Sequence, residues 1–153
     1  MSEIVLKDEE VRHKIMALQD SMMTMDNQIT CPLKHTFAPG IYAREIFIPK
    51  DTLVVGKIHK HAHINIISKG IAEVVTEFGS VRLEAPCTFV SEPGTKRAVL
   101  AIEDLIWTTI HHNPEDITDT DLLEDGIIAK SYDDLLLSKS SETPLIEKEG
   151  TMP

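Results

Sequence analysis

From Ile41 to His112 the apolar residues fall in short, β-type runs, and turn residues interrupt them about every 8 to 12 positions. The pattern predicts strands at Ile41–Ile48, Leu53–Ile58, His61–Ile67, Ile71–Glu77, Ser80–Glu84, Cys87–Ser91, Arg97–Ile102 and Leu105–His111. Pro49-Lys-Asp51, Lys69-Gly70, Phe78-Gly79, Ala85-Pro86, Glu92-Pro93-Gly94 and Glu103-Asp104 separate them. No helix-length insert divides these strands, so the architecture expected is all-β: an antiparallel sandwich or closed barrel.

The flanks read differently. Val11, Ile15, Leu18 and Met22 recur at helical spacing, which predicts an amphipathic helix from Leu6 to Met25, ended by Asp26-Asn27 and Cys31-Pro32. Its apolar stripe suits its own domain or a partner chain, and its methionines suit an adaptable contact. After the strands, Asp116 or Thr118 is placed to cap a helical turn through Leu122-Leu123, stopped by Gly126. Ser131 is placed to cap Tyr132–Leu137, and Ser138–Pro153 reads as an extended arm. The expected organisation is a helix and linker over 1–36, a β-barrel over 37–113 and an acidic, partly helical extension over 114–153.

The chain has 153 residues and is 42% hydrophobic, the size and composition of one globular domain with its own core. Its net charge is −10, and residues 113–153 hold eleven acidic against three basic side chains. Phosphate backbones repel such a chain, so nucleic acid is not an expected partner. No signal peptide is expected at Met1–Glu10, and no apolar run approaches the roughly 18 residues of a membrane span. A cytoplasmic protein with reduced Cys31 and Cys87 is expected, and the acidic tail either solubilises the chain or docks on a basic surface.

The candidate chemistry is concentrated in Lys57-Ile-His-Lys-His-Ala-His-Ile-Asn65. His59, His61 and His63 alternate, so on one strand all three imidazoles and Asn65 share a face. Residues i and i+4 on a straight strand lie about 13 Å apart, too far for three rings to share one ion. Two of these histidines plus one from another strand is the workable set. His111 is the natural third, since it shares a face with Trp107 and Thr109. His61, His63 and His111 form one option; a bend at Lys60 would pair His59 with His63 instead. A histidine-rich strand that merely faces water is the plain alternative.

The Ile41–His112 segment resembles the cupin family of small β-barrels. Gly56, the His-x-His pairs within His59–His63, and Gly70 in Ser68-Lys-Gly match the family's first motif, with Asn65 near the place of its glutamate. Glu92-Pro93-Gly94-Thr95-Lys96-Arg97 matches the turn of the second motif, with Arg97 where a histidine stands in the family. Phe37–Arg44, Ile66–Gly70 and Glu84–Val90 also resemble small cupin proteins encoded by tailed phages. The resemblance implies a cupin-like jelly roll, partial for the metal site. An all-nitrogen site fits zinc, nickel or copper, with zinc favoured by availability; iron and manganese stay open. Arg97 in place of a histidine suggests a cavity for a small anion, although a salt-bridging surface arginine is equally compatible.

Three roles are expected. The first is a non-catalytic assembly module, such as a phage virion or tail component, that forms homo-oligomers or contacts other subunits through the helix and extension. The second is a metal-dependent enzyme on a small anionic substrate, and the third is a small-molecule binder without turnover. Any metal held by histidine should loosen as pH falls through about 6.5.

Overall fold

A computed structural model describes residues 10, 13–18, 20–21, 29–76 and 79–129. Residues 13–18 are helical (α1), within the helix expected from the Val11–Met22 stripe. Ile15 is 4% exposed and Leu18 half-buried, whereas Met16 is exposed; Val11 and Met22 lie outside the described residues.

The strands are β1 (Leu33–Ala38), β2 (Gly40–Ile48), β3 (Leu53–Val55), β4 (Ile58–His59), β5 (His63–Lys69), β6 (Ile71–Thr76), β7 (Gly79–Glu84), β8 (Cys87–Ser91), β9 (Arg97–Ala101), β10 (Leu105–Asn113) and β11 (Ile128–Ala129). Helix α2 (Thr120–Ile127) precedes β11. One sheet has the order β1-β2-β10-β5-β8, the other β3-β9-β6-β7, and β11 pairs with β4. Every pairing is antiparallel, and neighbours in each sheet are mostly distant in sequence, as in a jelly roll.

Alternation sets what each sheet turns inward. Ile48, Ile67, Leu105 and Trp107 from the first sheet meet Ala72, Val74, Val99 and Ala101 from the second in one buried cluster. Along β10 the inward positions begin apolar, Leu105 and Trp107, and continue polar, Thr109, His111 and Asn113. On β5, Ile67 pairs with Trp107 at the apolar end, and Asn65 with Thr109 where the lining turns polar. One end of the barrel is therefore an oily core, and the other is lined by polar side chains. Sheet alternation produces both.

Several expectations are corrected. The Leu53–Ile58 run is divided in two: Gly56 N still donates to Arg97 O, but β4 then leaves the sheet to pair with β11. The strand expected from His61 begins at His63, because residues 60–62 form a bend. Strand β1, bounded by Pro32 and Pro39, was not anticipated; all six of its residues are exposed, so it lacks the half-buried alternation that marks a strand.

Helix α2 is capped by Asp119, whose carboxylate accepts from Asp121 N and Leu122 N. Asp116 is instead turned back to accept from Gly40 N at 2.7 Å. The helix runs through Gly126, because Leu123 and Ile127 bury against Tyr42 and hold the last turn in place. These side chains are used within the protomer, so the stretch 114–129 is part of the barrel wall rather than a free arm. Ser131, Tyr132–Leu137 and Ser138–Pro153 lie outside the described residues. Among the described residues no helix is long and apolar enough to cross a membrane.

Two glycines give opposite expectations. Gly70 turns the corner from β5 to β6 at φ +96, and a Cβ there would come within 2.9 Å of Asp104 C and Leu105 Cα, and nearer still to Asp104 O. Gly126 sits in a helix with open space around the same position. Gly70→Ala should lower the stability by about 2 kcal/mol or more, since backbone cannot step aside. Gly126→Ala should raise it by roughly 0.5–1 kcal/mol. Denaturant midpoints of both variants check this; equal effects would sink the account of the Gly70 corner.

Candidate functional site

The bend at residues 60–62 is tied down from outside the sheet. Lys60 N donates to Ile127 O at 2.7 Å, Lys60 Nζ donates to Asp125 O at 3.0 Å, and Lys57 pairs with Glu124. On the other flank, Gly94 N of the Pro93-Gly94 turn donates to His59 O at 2.9 Å. Folding the chain back in this way brings the His59 and His63 rings together, tilted by 38° with centroids 4.2 Å apart. His111 comes in from β10, 5.4 Å from His59 and 5.1 Å from His63. His61 lies in the bend, half-exposed. Of the two sets compatible with the sequence, the structure assembles His59, His63 and His111.

Hydrogen bonds select the tautomers. His63 Nδ1 lies 3.4 Å from His61 O, and a carbonyl only accepts, so Nδ1 carries the proton. His63 Nε2 is left with a lone pair, is buried, and has no hydrogen-bond partner. His111 Nε2 is 2.8 Å from Thr109 Oγ1, which leaves Nδ1 for another partner. Burial holds all three rings neutral: His59 is pushed down to about 2, His63 to about 4 and His111 to about 3. Desolvation is the largest cause in each case, and the neighbouring charges that add to it are cationic: Arg97 acts on His59 and His63, Arg44 on His59 and His111.

Beside this cluster sits a second buried group centred on Asn65, which is 0% exposed. Asn65 Oδ1 accepts from Arg97 Nη1 at 3.2 Å and from Trp107 Nε1 at 3.0 Å. Its Nδ2 donates to Ser91 Oγ at 2.8 Å and, at 3.5 Å, to Phe89 O. Arg97 Nη2 also donates to Ser91 Oγ. The Arg97 guanidinium lies 5.2 Å from the Trp107 ring centroid and 5.9 Å from that of Phe89. Arg97 is 9% exposed, so the surface-arginine alternative is set aside. Asn65, expected near a ligand, has its hydrogen-bonding capacity used by protein groups.

Tyr42 was missed by the sequence reading. It is 3% exposed, stacks on His111 at 5.8 Å and on Phe37 at 5.2 Å, and its hydroxyl meets His35 Nδ1 at 2.6 Å. Its inward parity on β2 was legible, but its register opposite His111 was not. Thr109, Ser91 and Trp107 were likewise identifiable only as inward positions. His13 and His112 are exposed.

Among the described residues, no three histidine, cysteine or carboxylate side chains already converge on one point. Ring separations are the better guide to what the site can hold. An ion about 2.0–2.1 Å from each ligating nitrogen requires ring centroids roughly 4.5–5.5 Å apart, and the observed 4.2 to 5.4 Å is close to that range.

No protein-family model and no curated protein matches this chain. Similarity is found among solved structures. Salicylate 1,2-dioxygenase from Pseudoaminobacter salicylatoxidans aligns with a TM-score of 0.51 and 11% identity, over 69% of this chain and 31% of that one. KdgF from Halomonas sp. aligns with a TM-score of 0.48 and 20% identity, over 60% of this chain and 87% of the other. A cupin-2 domain protein from Shewanella frigidimarina aligns with a TM-score of 0.45 and 11% identity, over 63% and 92%. At such identities the likeness concerns the fold. The described residues form an antiparallel jelly roll of two sheets, a fold shared with the salicylate 1,2-dioxygenase.

Proposed function

We propose that this barrel holds one divalent metal ion through His59, His63 and His111 and uses it to bind or transform a small molecule. The observation that carries the reading is His63 Nε2, a buried lone pair with no partner, facing a cluster of neutral imidazoles. An unpaired buried acceptor is costly to keep, and a metal is the partner that a three-nitrogen cluster satisfies best. His63 through Nε2 and His111 through Nδ1 are the atoms left open by the present hydrogen bonds. Zinc suits the all-nitrogen donor set, as do nickel and copper. Bound there, the ion would supply Lewis-acid polarisation of a ligand oxygen or an activated water. Thr109 and the His61 carbonyl orient the rings, Tyr42 with α2 walls off one side, and Asn65 braces Arg97.

Of the stripe on which an assembly role depends, Ile15 is buried and Leu18 half-buried, while Val11, Met22 and residues 130–153 lie outside the described residues.

Elemental analysis of the purified protein tests the reading directly: about one metal per chain is expected. His59→Ala, His63→Ala and His111→Ala should each lose it, whereas His61→Ala and His112→Ala should keep it. Equal retention across all five variants would remove this cluster from consideration.

Acid response provides a further check. In the metal-free protein the rings are neutral when folded but protonate near 6.5 when unfolded, so the unfolded chain binds more protons below that pH. Stability should be full above about pH 6.5 and decline as pH falls toward 4, with a shallower decline in His59→Asn. The same burial lowers the pH at which protons compete with a metal. Retention at pH 5 is expected, which revises the loss near 6.5 anticipated for free imidazole. Thermal midpoints with and without chelator, followed from pH 7.5 to 4, would expose a flat profile and with it an error in the buried, neutral assignment.

A further inference from the structure

Strand β5 is lined with isoleucine on the side that alternation turns away from the core. Opposite the buried His63, Asn65 and Ile67 stand Ile64, 43% exposed, and Ile66. Strand pairing continues this outward row. Ala43 on β2 lies opposite Ile110 on β10, Ile110 opposite Ile64, and Ile64 opposite Val90 on β8, which is 44% exposed. Ile41, 47% exposed, extends the row along β2. An antiparallel sheet whose outer face meets water normally alternates apolar and polar positions, and strands apolar on the outside as well are normally covered. Charge marks the same face. At the outward positions of β2, β10, β5 and β8, Glu45 is the one charged residue, and Lys34 of β1 stands opposite it in register. The outer side of the second sheet has the ordinary solvent pattern: Glu73 pairs with Arg82 at 3.7 Å, and Glu84 is exposed.

We infer that the outer face of the first sheet is an interface between two copies of this chain, packed sheet on sheet around Ile64 and Ile110. Charge selects the occupant. Two chains of net charge −10 repel each other over most of their surfaces, and approach costs least where a face carries no net charge. The same negative charge opposes docking on an anionic membrane, and a strongly charged partner would find no charge to pair with on this face. A twofold contact sets the same patch on both sides, and an apolar antiparallel sheet face meets its own copy at the roughly 10 Å spacing of a sandwich. The area is sufficient. The five strands are 6, 9, 9, 7 and 5 residues long. At about 3.4 Å per residue and about 4.8 Å between strands, they span roughly 600 Å2. Two copies would bury about 1,200 Å2, the lower end of stable specific interfaces. The contact would also brace β5 and β10, which carry His63 and His111 on their other side.

Sedimentation of the full chain across a concentration series reads the mass. The wild type should sediment at twice the mass of the chain, and its thermal midpoint should rise with protein concentration. Ile64→Glu and, separately, Val90→Glu place a charge at positions that the single chain exposes, so each should keep the wild-type circular dichroism and sediment as a monomer. An isologous contact meets each change twice, so the dissociation constant should rise by about a hundredfold or more. Val75→Glu, at a 38% exposed position on the outer side of the second sheet, should leave the dimer intact. A wild type that stays monomeric at its highest soluble concentration overturns the inference. So does a dimer that survives both Ile64→Glu and Val90→Glu, or one lost equally in Val75→Glu. If one of the two substitutions unfolds the chain, the other decides the same point. In a monomeric wild type, residues 130–153 that become open to protease only in Ile64→Glu would identify the chain's own extension as the occupant, and the two-copy interface is overturned.

Discussion

Asn65 is the junction on which the rest of this structure depends. Its amide sits where the oily half of the barrel becomes polar, and both of its ends are fully engaged: Trp107 and Arg97 on the oxygen, Ser91 and Phe89 O on the nitrogen. Trp107 belongs to the apolar cluster, whereas Arg97 and Ser91 belong to the polar layer. A single side chain therefore couples β5, β8, β9 and β10, from both sheets. In a low-dielectric interior such a network is strong only while every member is satisfied, so it fixes one arrangement of the strands around it.

That arrangement shapes the histidine site. Arg97 is braced by Asn65 and Ser91, and its positive charge adds to the desolvation that keeps His59 and His63 neutral. A neutral imidazole has a lone pair to donate at pH values where a solvated one would be protonated. Burial and like charge thus keep the rings neutral, and no carboxylate sets their tautomers: a backbone carbonyl does this for His63, and Thr109 orients His111.

The segment after the barrel has a structural part in the same site. Helix α2 and β11 hold the Lys60 bend through Ile127 O and Asp125 O, pair with Ile58–His59, and cover Tyr42, which stacks on His111. Composition alone suggested a solubilising acidic extension there. Its described portion packs on the barrel, where Glu124 pairs with Lys57 and the Asp125 backbone carbonyl accepts from Lys60 Nζ.

Period-2 alternation is a local property, so the strand-rich centre, most strand positions and the inward parity of His63, Asn65, Trp107, Thr109 and His111 were legible in the amino-acid sequence. The same local pattern suggested a strand through His61, because alternation does not register a bend imposed from outside. Tertiary structure decided what depended on distant pairing: β10 lying between β2 and β5, which places His111 and Tyr42 beside His63, and β11 reaching back to β4, which turns the chain at Lys60. It also decided the state of Arg97. In the sequence this is a charged residue after a Pro-Gly turn; its burial against neutral partners follows from strands that meet only when both sheets close.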